Sequence, residues 1–429
     1  MIKNRSKRDF LKKMGLSLTG LFLLNVFYFR KAKSNYKPKV VIIGGGVGGA
    51  SCLRYLSDYS NFIELSIIEK NKNIQTCPFS NLVIGGLKNH EDIVFETKSF
   101  YRKKINFVND YVNKIDIDNK KILLNDKSFL NYDFLILSPG ISYKWENIFG
   151  LKKNDPKILP HSWDGDKNLH SFKKRIDDLE NNSTIIISSP DYPYRCPPAP
   201  YERASLIANY LIKKRKKFKI LILDSKDSFT KKKLFIREWD LFYKNKIEWV
   251  SRSDGGQVVE IDSNNKIVKT KNGQKYKGDI IHIIPDQKAS DLFFQSKLIS
   301  NDWCNVNPVN FELNGFKDIY VLGDSIDAWD MPKSAFSANS QSKALSQNLV
   351  NRILEKEYIN PAFLNTCYSF SAPERAFSIS SWYRLNSEKN RIVSLGTKES
   401  DVNASDYQRK KETIEAYGWY ESLTKEIYG

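Results

Sequence analysis

Residues 39–70 read KVVIIGGGVGGASCLRYLSDYSNFIELSIIEK. A short apolar run, Val40 to Ile43, ends in a glycine cluster in which Gly44, Gly46 and Gly49 keep the G-x-G-x-x-G spacing. A helix-compatible stretch follows, then a second apolar run, Leu65 to Ile68, closed by Glu69. Strand, tight glycine turn, helix, strand and terminal acid together are the dinucleotide-binding pattern of a doubly wound α/β fold. The glycines let backbone approach a pyrophosphate, and the helix N-terminus offers that anion free N–H groups and positive dipole. Glu69 can accept hydrogen bonds from ribose hydroxyls. A bare glycine turn without a ligand would need none of the flanking elements.

Further along, the apolar run Ile319 to Leu322 ends in Gly323-Asp324, and a helix-prone stretch, Ser337 to Ile353, follows. Tyr132 to Gly140, YDFLILSPG, is another strand running into a turn. In this order the three pieces resemble flavoproteins with two dinucleotide domains. There the strand ending in Gly-Asp meets FAD, and the aspartate accepts hydrogen bonds from the ribityl chain. The following helix would point positive dipole at the flavin pyrimidine, where a reduced flavin is anionic.

The chain has 429 residues, enough for two or three domains with their own cores. Its net charge is +19, of which residues 1–33 carry +8 (nine Lys/Arg against one Asp), leaving +11 on the remainder. The other basic residues are scattered or lie in short runs, Lys213 to Lys217 and Lys231 to Lys233, with no nucleic-acid-binding signature beside them. They read as a solvated basic surface suited to an acidic partner.

Ser6 to Lys12, SKRDFLK, resembles a twin-arginine export signal with Lys in place of the first Arg. The apolar stretch Leu16 to Phe29 is shorter than the ~20 residues a membrane span needs and suits a signal h-region. An uncleaved anchor is the alternative, because Ala32 lies between two lysines. Export in a folded, cofactor-loaded state would place the protein in the oxidising periplasm.

Residues 34–150 and 289–355 are expected to form the FAD domain, 151–288 a second βαβ unit, and 356–429 a C-terminal piece rich in aromatics. The expected class is α/β: two Rossmann-like βαβ domains of the disulfide-reductase type plus a C-terminal α+β domain. The second unit has strands at Ile185–Ile187 and Ile220–Leu223, a helix at Tyr201–Ile212, and Asp224 at the second strand's end. Where a nicotinamide-binding unit carries its glycine turn, this chain has SSPDYPYRCPPAPYERA, Ser188 to Ala204. That loop contains no glycine and five prolines, so backbone cannot fold closely round a pyrophosphate. No NAD(P)H binding is expected. Cys196 lies in this loop ahead of a helix beginning near Pro200, a setting that favours a thiolate. Glu202, in the helix's first turn, is either an acid/base or a charge complementing the helix dipole.

There are five cysteines. Cys52, behind the glycine turn, and Cys304, beside Trp303, read as core. Cys77, Cys196 and Cys367 lie in turn-like segments where functional residues concentrate. The four histidines are dispersed and no metal-ligand spacing occurs. The lack of C-x-x-C-H means that a c-type haem would have to sit on another chain.

From about Lys39 to the C-terminus the chain resembles the flavoprotein subunit of flavocytochrome c sulfide dehydrogenase, in the disulfide-reductase superfamily. The resemblance rests on TCPFSN around Cys77, SNLVIGG, RCPPAPYERAS, LILDS, WCNV, VLGDS, MPKSAFSANSQSKA, LNTCYS and the terminal aromatic cluster. It implies FAD bound covalently through Cys77, a redox-active pair Cys196 and Cys367, a catalytic carboxylate at Glu202 and an aromatic near the flavin at Trp419. It implies sulfide as substrate, sulfur or polysulfide as product, and a c-type cytochrome subunit as electron acceptor. The sequence departs from the family pattern at Pro78, at Ala199 in place of a glycine, and in the export motif. Alternatives are a sulfide:quinone or NADH:quinone-type reductase, which should carry an apolar C-terminal anchor, and a non-catalytic flavin electron carrier.

The export reading has a direct check. N-terminal sequencing of the native protein should begin after Phe29, whereas a retained Met1 on a membrane-bound protein would establish the anchor.

Overall fold

The apolar run at the head of the glycine turn becomes the central strand β1 (Lys39–Ile43), with Val40, Val41 and Ile42 at most 1% exposed. A strand buried on both faces needs apolar side chains at successive positions, which is why the run does not alternate with polar residues. The computed structural model describes residues 36–100, 105–152, 159, 163 and 166–429. The expected export segment, 1–33, lies outside the described residues.

From β1 the chain turns through the glycines into α1 (Val47–Ser57) and returns as β2 (Glu64–Ile68). A short helix, α2 (Ser80–Ile84), precedes β3 (Ile105–Val108) and β4 (Phe134–Leu137). The second unit then supplies β5 (Ser183–Ser189), α3 (Ala199–Lys213), β6 (Phe218–Asp224), α4 (Lys232–Phe242), β7 (Ile247–Val250) and β8 (Ile280–Ile283). The chain re-enters the first unit through β9 (Ile319–Val321) and α5 (Ala335–Ile353). It ends in three strands, β10 (Ala362–Ala372), β11 (Arg375–Asn386) and β12 (Arg391–Glu399), and the helix α6 (Asp406–Tyr428).

The first sheet has strand order β9-β4-β1-β2-β3, parallel throughout, with Val40 opposite Leu65 on one side and Phe134 on the other. The second, β7-β6-β5-β8, is also parallel. The last three strands are antiparallel. The expected class, two Rossmann-like units and a C-terminal α+β piece, is the observed one.

The C-terminal piece has no separate core. Phe363 at one end of β10 is buried with the first sheet's side chains, and Phe370 at the other end is buried with those of the second. Cys367, between them, is thereby held where the two cores meet. An ion-pair cluster fastens this strand pair to the second unit. Glu238 on α4 accepts from Arg375 Nε at 2.6 Å and Nη2 at 3.0 Å, and from Ser371 Oγ at 2.7 Å. Bidentate, buried pairing of this kind fixes geometry more firmly than exposed pairs do.

The glycine turn is as tight as the spacing requires. Gly44 has φ +99°, and a Cβ there would lie 2.4 Å from Ser138 O. A Cβ on Gly49 would lie 1.8 Å from Gly44 O, backbone that cannot move aside without opening the turn. Gly49→Ala should therefore destabilise the protein by about 3 kcal/mol or more. A denaturation midpoint unchanged from wild type would refute this account of the turn.

Candidate active site

The two units and the C-terminal piece close around a single cleft. Of the residues singled out in the sequence, Gly46, Cys77, Cys196, Glu202, Gly323, Asp324, Cys367 and Trp419 all line it. Gly44 and Gly49 shape the turn behind the lining. Glu69, at the end of β2, is buried, and its two oxygens accept from the backbone N–H groups of Gly45 at 2.7 Å and Asn71 at 2.8 Å.

Local structure puts each thiol in place. Cys77 precedes α2, and Ser80 Oγ donates to its carbonyl at 2.7 Å. Phe79 holds a left-handed conformation, φ 70°, and stacks on Tyr420 of α6 with centroids 4.1 Å apart. Cys196 also has a positive φ, 57°, which a residue with a Cβ adopts only where its surroundings impose it. Its N–H donates to Lys333 O at 2.8 Å and its carbonyl accepts from Ala199 N at 3.0 Å. Cys367 comes from the middle of the strand β10 rather than from a turn-like segment. All five cysteines are free thiols in the structure.

The downward shift expected at Cys196 falls instead on Cys77. Cys196 donates a hydrogen bond to Cys77, which holds the Cys77 thiol below its ordinary value despite burial. The same bond, then burial and the Cys77 charge, push Cys196 well above its ordinary value. Two thiols in contact cannot both ionise, and the one receiving the hydrogen bond keeps the charge. Burial raises Cys367. Cys52 and Cys304 are fully buried core thiols, as read from the sequence.

Glu202 does more than complement a helix dipole. It lines the cleft, its Oε2 accepting from Asn81 Nδ2 at 2.7 Å and its Oε1 from the backbone N–H of Phe370 at 2.8 Å. Burial raises its carboxyl above the ordinary 4.5. Arg203 Nε donates to Asn81 Oδ1 at 2.8 Å, which obliges the Asn81 amide to turn its NH₂ toward Glu202.

Across the cleft, Asp324 Oδ2 accepts from Arg195 Nε at 2.6 Å, while its Oδ1 is buried without a partner. Lys333 donates to the carbonyls of Asp324 at 2.9 Å and Ile326 at 2.6 Å, and burial brings its ammonium down to about 8. The N-terminal turn of α5 lines the same cleft, capped by Ser334 Oγ accepting from Ser337 N–H at 3.1 Å. Arg195, Asn81, Lys333 and Ser138 were not singled out in the sequence. All four stand inside quoted strings, but nothing in their spacing shows that the chain brings them together.

The cleft fits a flavin dinucleotide. A Cβ on Gly46 would meet nothing within 4 Å, so this glycine leaves room at the helix N-terminus where a pyrophosphate binds. The unpartnered Asp324 Oδ1 and Trp419 Nε1 are buried polar atoms that need a ligand partner.

In the second unit the corresponding acid is used internally. Asp224, at the end of β6, is fully buried and pairs with Lys226 at 2.6 Å. Its other oxygen accepts from Tyr201 OH at 2.5 Å and Trp249 Nε1 at 2.8 Å. Lys226 also donates to Ser189 Oγ and Pro190 O, at the end of β5 and just beyond it. Of the histidines, dispersed in sequence, His90 and His170 meet edge to face with ring centroids 4.2 Å apart. The described residues contain no group of three or more potential metal ligands.

Three family models match the chain. "Sulfide dehydrogenase [flavocytochrome c] flavoprotein chain, central" covers residues 170–285. "Flavocytochrome c sulphide dehydrogenase, flavin-binding" covers 359–428, and "Pyridine nucleotide-disulphide oxidoreductase" covers 38–187. The mitochondrial sulfide:quinone oxidoreductase of Dictyostelium discoideum is 27% identical over 335 residues, 76% of this chain and 73% of that one. Its Mus musculus counterpart is 23% identical over 359 residues, 79% and 76% of the two chains. The solved sulfide:quinone oxidoreductase of Aquifex aeolicus superposes with a TM-score of 0.70 over 91% of each chain at 17% identity, a likeness of fold.

A carboxyl whose value is raised on folding adds stability below its unfolded value and loses it as pH rises through the folded one. For Glu202 that loss begins above pH 4.5. Thermal melts of Glu202→Gln and wild type should diverge in favour of the variant as pH rises from 4 to 8. A pH-independent difference would show that the carboxyl does not titrate with folding.

Proposed function

The chain belongs to the family of flavocytochrome c sulfide dehydrogenase flavoprotein chains, flavin-dependent sulfide-oxidising oxidoreductases of the pyridine nucleotide-disulphide type, and on that premise we propose that it oxidises sulfide and delivers the electrons to a c-type cytochrome subunit. The observation that carries the reading is the meeting of Cys77, Cys196, Cys367, Glu202 and Asp324 on one cleft, from segments spread over 291 residues of chain.

Gly46 and the α1 N-terminus would hold the pyrophosphate of FAD, Asp324 Oδ1 the ribityl hydroxyls, and Trp419 would lie beside the flavin. When bound, the flavin accepts electron pairs and releases electrons singly, which suits a haem acceptor. Cys77, whose thiol is held below its ordinary value beside Cys196, is the nucleophile suited to a covalent thioether with it.

In the working cycle Cys196 and Cys367 form a disulfide. HS⁻ attacks one of its sulfurs, the existing S–S bond breaks, a persulfide forms on the attacked cysteine, and the other leaves as thiolate. Over a full turnover HS⁻ becomes zero-valent sulfur, a proton and two electrons, and the pair closes again. Glu202, with its carboxyl raised by burial and lining the same cleft, is the group placed to take the proton. Sulfur leaves as elemental sulfur or polysulfide. The export motif and the oxidising chemistry of the pair agree with a periplasmic site.

NADH has little support as donor, because Lys226, Tyr201 and Trp249 occupy the hydrogen-bonding capacity of Asp224. A quinone acceptor is the second reading, favoured by the names of the relatives. Against it, no helix among the described residues is long and apolar enough to cross a membrane. On α6 the exposed Tyr407 and Ile414 stand among charged residues and form no apolar face.

Anaerobic mixing with sulfide should bleach the flavin within seconds and reduce a c-type cytochrome in preference to a soluble quinone. Folded Cys196→Ser and Cys367→Ser variants should lose that reduction by about a thousandfold while keeping their flavin. Cys77→Ser should release flavin on acid precipitation. Full activity in either redox-pair variant would end the disulfide mechanism, and faster turnover with quinone would replace the acceptor.

A further inference from the structure

The basic run Lys231 to Lys233 reads as solvated surface in the sequence, yet Lys231 is 1% exposed. It stands at the N-cap of α4 with φ 63°, in the left-handed region. A helix N-terminus is the less favourable end for a cation, and burial adds a larger cost. Two comparably buried cations, Lys226 and Arg409, are matched by carboxylates, Asp224 at 2.6 Å and Glu412 at 3.0 Å, whereas Lys333, like Lys231, is held by carbonyls.

Lys231 is held differently from Lys226 and Arg409. Its Nζ donates to Ser369 Oγ at 2.9 Å, Cys367 O at 3.2 Å and Phe377 O at 3.5 Å, and lies 5.6 Å from the Phe377 ring centroid. No carboxylate pairs with it among the described residues. These contacts satisfy the donors and leave the charge without an anion. Two ionisable groups on the wall of the cleft feel that charge, Cys367 and Glu202, and for both it favours the ionised form. At Cys367 it opposes the upward push of burial and of the Glu202 and Cys77 charges. Cys196 is the remaining ionisable neighbour of that sulfur.

We infer that Lys231 is a positioning residue for sulfide oxidation: its buried ammonium supplies the counter-charge for an anionic sulfur on Cys367 whenever the Cys196–Cys367 pair is open. The inference rests on the redox role given to that pair above. When HS⁻ opens the disulfide, the attacked sulfur carries a persulfide and the other leaves as thiolate, and either species, once ionised on Cys367, is an anion in a buried cleft. The strand backbone that carries Cys367 also anchors the lysine, through the Cys367 carbonyl and Ser369, so charge and sulfur cannot drift apart. A lysine present only to tie β10 to α4 would have its hydrogen bonds replaced by a neutral donor without further effect.

The test reads the sulfur directly. The flavin-loaded protein is reduced anaerobically with a phosphine and alkylated with iodoacetamide across pH 6–10, and the Cys367 peptide is quantified by mass spectrometry. Lys231→Met should slow alkylation of Cys367 at pH 8 by about tenfold, the effect of one pKa unit, and move its midpoint upward. Lys231→Arg should restore the wild-type profile. If Lys231→Met does not fold, Lys231→Gln, which keeps donors toward the two carbonyls, takes its place with the same expected shift. A wild-type profile in a folded Met or Gln variant would overturn the inference. Loss of folding in both would mark Lys231 as a structural anchor and overturn it equally. Because alkylation needs no turnover, a protein that fails to oxidise sulfide would defeat the proposed function without deciding this measurement.

Discussion

The Arg195–Asp324 ion pair holds the site together. Arg195 belongs to the proline-rich loop of the second unit, Asp324 to the Gly-Asp turn of the first, and Nε meets Oδ2 at 2.6 Å. Next to it, the N–H of Cys196 bonds to Lys333 O, a second link between the same segments. Both partners of the ion pair are largely buried, and a buried pair is strong only while both members are present. The cleft therefore forms where the two units meet, and so does its chemistry. The seam also explains the strained backbone at Cys196, whose φ of 57° is set by contacts to both sides.

The electrostatics of the cleft follow from its dryness. Three thiols and a carboxyl share one buried space, and burial opposes every negative charge among them. The fold answers in two ways. Contact between Cys77 and Cys196 moves the pKa values of the two thiols apart, holding Cys77 below its ordinary value and pushing Cys196 above. Buried cations, Arg195, Lys333 and Lys231, stand around the remainder and are held mainly by carbonyls and hydroxyls, Arg195 alone having a carboxylate. Cations satisfied in this way keep their field available to groups that change charge during a reaction, which a fully paired cation does not.

The second unit shows how a nucleotide-binding plan can be retained for another use. The strand–helix–strand order and the terminal acid are intact. The turn has become stiff, and the acid's oxygens are filled by Lys226, Tyr201 and Trp249. What the loop now presents to the cleft is Cys196 and, one turn on, Glu202. Residues of the site were thus contributed by the element that would otherwise have held a second dinucleotide.

The sequence alone determined the two βαβ units, the dinucleotide turn and the stiff loop, because these depend on short-range rules. Strand burial, glycine φ and proline geometry are decided within a few residues. Gly44, Gly46 and Gly49 could be picked out together as a pyrophosphate-binding turn by their spacing before any coordinates. The family strings also marked Cys77, Cys196, Cys367, Glu202 and Trp419. Only the tertiary structure decided how the two thiols shift one another, Cys77 downward and Cys196 upward, because that depends on contact between residues 119 positions apart. It alone turned Lys231 from one of three surface-like lysines into a buried charge beside Cys367, since burial is set by β10, an element 131 residues downstream. Likewise Arg203 orients the amide that donates to Glu202, because the fold brings Asn81 over from the other unit. Long-range pairing of polar groups leaves no periodicity in the chain, because each partner is free to sit wherever the topology returns it.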